Sequence, residues 1–152
     1  MRKIDAYLAD YAAYHSTRGN VVCHFLGIPL IVFGLLSMLG AVPIAHMGGL
    51  GLLTLAEVLL VASILYDASL DLPLAAAWLV SGAALDALAR WVGDWRVGLL
   101  AFVVGWVFQG IGHARYEKKA PAFLKNFVHL LVGPLFLLNE LLHVRKIQER
   151  TA

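Results

Sequence analysis

The sequence has one cysteine, Cys23, so no disulfide within the chain holds the fold together. Charged residues make up only 14% of the chain, where a soluble domain carries about a quarter. Net charge is +2, and the few basic residues sit in short clusters rather than in a stripe, so nucleic acid is not an expected partner. No Ser/Gly/Pro-rich linker divides the 152 residues, and residues 1–152 read as one domain. No Gly-rich dinucleotide fingerprint follows a strand-like segment, so neither a nicotinamide nor a flavin is expected. The first twenty residues carry Arg2, Lys3, Asp5, Asp10 and Arg18, and the first apolar run starts too late and runs too long for a cleavable signal peptide. That run is expected to remain in the mature protein.

What is abundant is apolar. Hydrophobic residues reach 61% and mean hydropathy is +0.78, a membrane composition. The expected fold is an all-α integral membrane helical bundle. Residues 1–18 form an amphipathic helix with Tyr7, Tyr11 and His15 four apart on one face. About four transmembrane helices follow, at 21–45, 48–66, 73–89 and 97–113, the last two rather short against the ~20 residues that cross hydrocarbon. A final apolar stretch, "FVHLLVGPLFLLNELLHVRK", contains Gly133 and Pro134, and proline ends or kinks a helix. A re-entrant or interfacial helix pair is expected there, with a plain fifth span as the alternative. Arg2, Lys3 and Arg18 at one end, and Arg115, Lys118, Lys119 and Lys125 after the fourth span, place both on the cytoplasmic side. The Ala, Leu and Gly content favours a bacterial inner membrane, or the endoplasmic reticulum if the source is eukaryotic.

Polar side chains in such segments are costly and face a protein interior or a cavity. Asn20 and His24 share one helical face, Gln109, His113 and Glu117 a second, and Asn126 and His129 a third. His15, nine residues before His24, would point away on an unbroken helix, but a break at "STRGN" lets the two converge. With four spans, His15, His24, His113 and His129 reach one membrane depth near the cytoplasmic face. Imidazoles so gathered suit iron, zinc or copper. Interhelical hydrogen bonding is the commoner use of such histidines and stays open on spacing alone. Glu57 in mid-span two and Asp86 late in span three are either proton-relay groups or hydrogen-bonded partners. Glu140 is either a carboxylate orienting an imidazole or a wet helix end.

"YHSTRGNVVCHFLGIP" resembles the H-x4-N-x3-H-x2-GIP block of the Mpo1-like family of 2-hydroxy fatty acid dioxygenases, and "WVFQGIGHARYEKKAPAFLKN" and "GPLFLLNE" resemble its second and third blocks, in order. The resemblance implies a membrane enzyme of fatty acid α-oxidation that uses Fe(II) and O2 to convert a long-chain 2-hydroxy fatty acid into the acid one carbon shorter. It places metal ligands at His15, His24 and His113, with His129 a fourth, and puts Asn20, Gln109 and Glu117 in the catalytic set. Such a ligand set leaves positions open for substrate and O2. Two other classes compete. Membrane di-iron hydroxylases need about eight histidines in HxxxH and HxxHH boxes, whereas this chain has six histidines and no such box. A non-catalytic scaffold or lipid carrier would use the polar stripes only to join helices.

Overall fold

The computed structural model describes residues 2–121, 123 and 127–147; Lys125 and the Asn126 end of the third polar stripe lie outside them. The fold is all-helical apart from one hairpin. Helix α1 (Lys3–Ala13) buries Ile4, Leu8 and Tyr11, one face at helical spacing. Helix α2 (Arg18–Gly40) starts at Thr17, whose side chain accepts from the Asn20 N–H, and runs through Pro29 without ending. Strands β1 (Pro43–His46) and β2 (Leu52–Thr54) pair antiparallel, His46 opposite Leu52. Helix α3 (Leu55–Leu70) begins at a Thr54/Glu57 capping box. Helix α4 (Leu72–Val92) is capped by Asp71 and stops at Gly93, whose φ of 65° is the left-handed conformation glycine allows. Helix α5 (Trp95–Ile111) passes into a π-helical turn over Gly112–Glu117, and α6 (Val128–Leu142) closes the described chain.

Among the described residues three helices are long and apolar enough to cross a membrane: Arg18–Gly40, Leu72–Val92, and α5 with its π turn, Trp95–Glu117. The expected span boundaries shift accordingly. The second apolar helix begins at residue 55 rather than 48, because the hairpin takes up residues 43–54, and it has only 16 residues. The third and fourth spans, expected to be short, are instead 21 and 23 residues long. The α3 helix at 16 residues and α6 at 15 rise about 24 and 22 Å, less than the ~30 Å hydrocarbon thickness. The C-terminal segment also differs from the expected helix pair. A single helix continues through Gly133 and Pro134, because packing holds it: Val132, Gly133, Leu135, Phe136 and Leu137 are all buried. A Cβ on Gly133 would lie 3.2 Å from the Tyr11 hydroxyl, so α1 and α6 touch where α6 has no side chain.

The outer faces of α3, α4 and α5 remain apolar and exposed, at Leu65, Val80, Trp91 and Leu100 among others, a surface compatible with hydrocarbon. Polar pairs lock the two ends of the bundle. At one end Arg90 pairs with Glu57 and with Asp86 at 3.0 Å, so neither acid stands alone in mid-helix. At the other, Asp71 caps α4 and accepts from Arg145 Nε at 2.8 Å. Asn139 holds the Arg145 backbone on both sides, and the exposed Glu140 beside it takes no part. His46 is exposed on β1, at the end of α2 remote from His24.

Candidate metal centre

A seam of small residues joins α2 to α5. Asn20, Gly27 and Gly34 recur every seven residues on α2, and Gly98, Gly105 and Gly112 do so along α5 and its π turn. The helices run antiparallel and match these positions in pairs. A Cβ on Gly34 would come within 2.4 Å of the Gly98 carbonyl, one on Gly105 within 2.7 Å of the Gly27 carbonyl, and one on Gly112 within 2.4 Å of Asn20 Oδ1. With no side chain between them the backbones approach closely, as small residues permit in apolar helix pairs. His24 lies one turn beyond Asn20 and His113 directly after Gly112, so the end of the seam brings the two histidines face to face.

His15 joins them from the turn between α1 and α2. The ring nitrogens offered by His15, His24 and His113 lie within 4.8 Å of one another, and all three side chains are buried. Nδ1 of His15 is 2.6 Å from the Tyr11 carbonyl, and Nδ1 of His24 is 2.9 Å from the Asn20 carbonyl. A carbonyl only accepts, so each Nδ1 carries the proton. The two Nε2 atoms, 2.9 Å apart, then present lone pairs to each other with no hydrogen between them. Nδ1 of His113 has no hydrogen-bond partner among the described residues. Three buried imidazoles, two of them with backbone-fixed tautomers and facing lone pairs, fit a divalent metal of the iron–zinc–copper group. Burial first, and the neighbouring His24 second, lower the His15 pKa from its usual value to about 3, which keeps that ring a neutral ligand. The Tyr11 ring stacks on His15 at 4.0 Å and fixes its plane.

Glu117 and Asn20 hold this geometry together. The Glu117 carboxylate accepts from the Ser16 N–H and hydroxyl at 3.1 and 2.6 Å, from the Thr17 N–H and hydroxyl at 3.2 and 3.1 Å, and from Asn20 Nδ2 at 3.2 Å. Asn20 Nδ2 also donates to the Tyr14 carbonyl at 3.1 Å. The break that lets His15 turn towards His24, expected at residues 16–20, falls at 14–17 because α2 already begins at Arg18, and it is thus pinned to the end of α5. The π turn carries His113 and Glu117, one facing the other histidines and the other facing the α1–α2 break; such turns often occur at functional sites.

His129 and Gln109 line the same cavity, of about 80 Å³, together with Trp106 and Phe123. His129 is buried, but it stands outside the close trio. Its Nε2 is 2.9 Å from Asp10 Oδ2, in a poorly aligned approach that leaves neither ring nitrogen hydrogen-bonded among the described residues. Gln109 Nε2 is also buried without a partner. Ser16 and Thr17, and the glycine seam, are parts of the site that the polar spacing did not single out. The seven-residue recurrence of glycine was the seam's signal in the sequence.

Fold and site together define an all-helical protein with apolar helices of membrane length and a buried three-imidazole pocket. The chain belongs to the Mpo1-like family: the family described as "2-hydroxy-palmitic acid dioxygenase Mpo1-like" matches residues 1–145. It is 34% identical over 142 residues to the 2-hydroxy-palmitic acid dioxygenase MPO1 of Saccharomyces cerevisiae, covering 89% of this chain and 77% of that protein. No solved structure matches.

Proposed function

We propose that the protein is an integral membrane, Fe(II)-dependent dioxygenase of fatty acid α-oxidation, acting on a long-chain 2-hydroxy fatty acid. The observation that carries this reading is the pair of imidazole Nε2 lone pairs facing each other beside the unpartnered His113 Nδ1. The likeness to a protein named for 2-hydroxy-palmitic acid supports the substrate class.

His15, His24 and His113 would hold the metal, with His129 the candidate fourth ligand. Iron(II), when bound, supplies a Lewis-acid centre at which a 2-hydroxy carboxylate and O2 meet. Gln109 Nε2, a buried donor without a partner among the described residues, would bind a carboxylate or hydroxyl oxygen of the substrate. Trp106, Phe123 and Pro134 wall the cavity and keep out water. Asn20 and Glu117 act as positioning residues through the α1–α2 break. The reaction balances without a further reductant: a 2-hydroxy acid and O2 give the acid one carbon shorter, CO2 and water. The carbon–carbon bond next to the carboxylate breaks, and the substrate itself supplies every electron that O2 takes.

The charge distribution supports a site near the cytoplasmic face. Lys3, Arg18, Arg115, Lys118 and Lys119 lie towards the histidine end, while the other end carries Arg90, which is paired, and Arg96. A bacterial inner membrane is the favoured location.

Purified protein given Fe(II), O2 and 2-hydroxypalmitate is expected to release pentadecanoate and to carry about one iron. His24→Ala and His113→Ala are expected to lose both. Bound iron without pentadecanoate would overturn the reaction, and full iron in both variants would overturn the ligand set.

A further inference from the structure

Next to the histidine cavity lies a larger one. It holds about 480 Å³ between α2 and α3, overlain by α6, within the range of small-molecule sites. Val32, Leu130 and Pro134 line both spaces, so the two adjoin beneath the first turns of α6. From there the larger space follows α2 past Leu36 to Leu39, faced by Leu60 and Ala62 of α3. Leu35, Leu59 and Leu131, which also line it, are 42%, 47% and 40% exposed, so it opens sideways through the outer apolar surface of the bundle.

Resting on the reading of the site as a 2-hydroxy fatty acid dioxygenase, we infer that this α2–α3 groove is the acyl-chain subsite. The substrate would enter it sideways from the bilayer core with its head among the histidines. The occupant follows from the juxtaposition. A fatty acid is polar at one end only, and here a pocket of about 80 Å³ that holds the histidines and Gln109 continues into a groove walled mainly by leucine, with Val32, Ala62 and Trp78, whose polar side chains Ser63, Tyr66 and Asp67 all come from α3. The length also fits. Along α2 the rise from His24 to Leu36 is about 18 Å, comparable with the ~15 Å of one hydrocarbon leaflet, the length of an ordinary membrane acyl chain. A short acid would end before reaching Leu36, whereas a long one fills the groove. The groove therefore sets chain length, and Ala62, the smallest of the side chains named on its walls, is the position at which its bore can be changed.

The first test uses the intact protein in phospholipid vesicles with a 2-hydroxy fatty acid carrying a photoreactive diazirine on its terminal carbon, in the presence and absence of excess 2-hydroxypalmitate. Labelling of residues 32–39 or 59–63 that the competitor suppresses supports the subsite, whereas bulk lipid contact would not be suppressed. Suppressible labelling elsewhere overturns the groove and leaves the proposed reaction standing; no suppressible labelling anywhere overturns both. In the second test Ala62→Trp, which narrows the bore, is expected to lower kcat/KM for 2-hydroxypalmitate by about tenfold while 2-hydroxyoctanoate turnover and iron content stay unchanged. An equal loss on both chain lengths, or no loss on either, overturns the assignment.

Discussion

Glu117 shows how a charged side chain belongs in an apolar bundle. It lies four residues after His113, yet it meets five donors from Ser16, Thr17 and Asn20 on another part of the chain. Charge-assisted hydrogen bonds of this kind are stronger than neutral ones, and removing the acceptor would leave the part-buried Ser16 and Thr17 N–H groups and the buried Asn20 amide without it. Glu117→Ala is therefore expected to lower the melting temperature and to weaken iron binding by about 10- to 100-fold, as loss of a group that orients metal ligands does. Equilibrium dialysis against iron checks this, and unchanged affinity would mean that the α1–α2 break is held without Glu117. The positions of Asn20 and Glu117 were legible from spacing and from the family blocks, but their partners were not. Spacing tells which side chains share a helical face and nothing about which backbone groups lie opposite.

At the scale of the helix, the glycine seam decides how closely α2 and α5 approach. Gly105 and Gly110 lie in the same helix and make a controlled pair. A Cβ at Gly105 would stand 2.7 Å from the Gly27 carbonyl, whereas one at Gly110 would meet nothing within 4 Å. Gly105→Ala is expected to destabilise the protein by about 1–3 kcal/mol through overpacking and to lower iron content. Gly110→Ala is expected to be neutral or to stabilise by up to about 1 kcal/mol through helix propensity. Thermal unfolding in detergent reads both, and equal effects would deny the seam its role. The same scale explains two of the revised expectations. Hydropathy could not separate the second half of the hairpin from the helix after it, because residues 48–54 carry three leucines and no charge. Pro134 did not end α6 because Gly133 lets the helix dock on Tyr11, and packing outweighs one lost backbone hydrogen bond.

At the scale of the whole molecule, α2, α3, α4 and α5 alternate in direction, so the histidine end and the hairpin end face opposite ways. Embedded with basic residues inside, Lys3 should lie on the cytoplasmic side and Met47 on the other. Labelling of K3C and M47C with a membrane-impermeant thiol reagent is expected to modify K3C only in inverted vesicles and M47C only in right-side-out ones. Cys23 is buried and contributes little background. The opposite pattern would reverse the topology.

The sequence by itself determined an all-helical, membrane-like chain, the family, and the histidines at 15, 24 and 113, since composition, periodicity and motif spacing are properties of the chain read in order. Only the tertiary structure decided that these three imidazoles converge while His129 stands apart beside Asp10, and that Asn20 and Glu117 bind backbone. It also decided that an apolar groove adjoins the site. Those outcomes depend on helix separation and on which carbonyl faces which ring, distances of a few ångströms set by glycines, a π turn and a pinned break packing together at once.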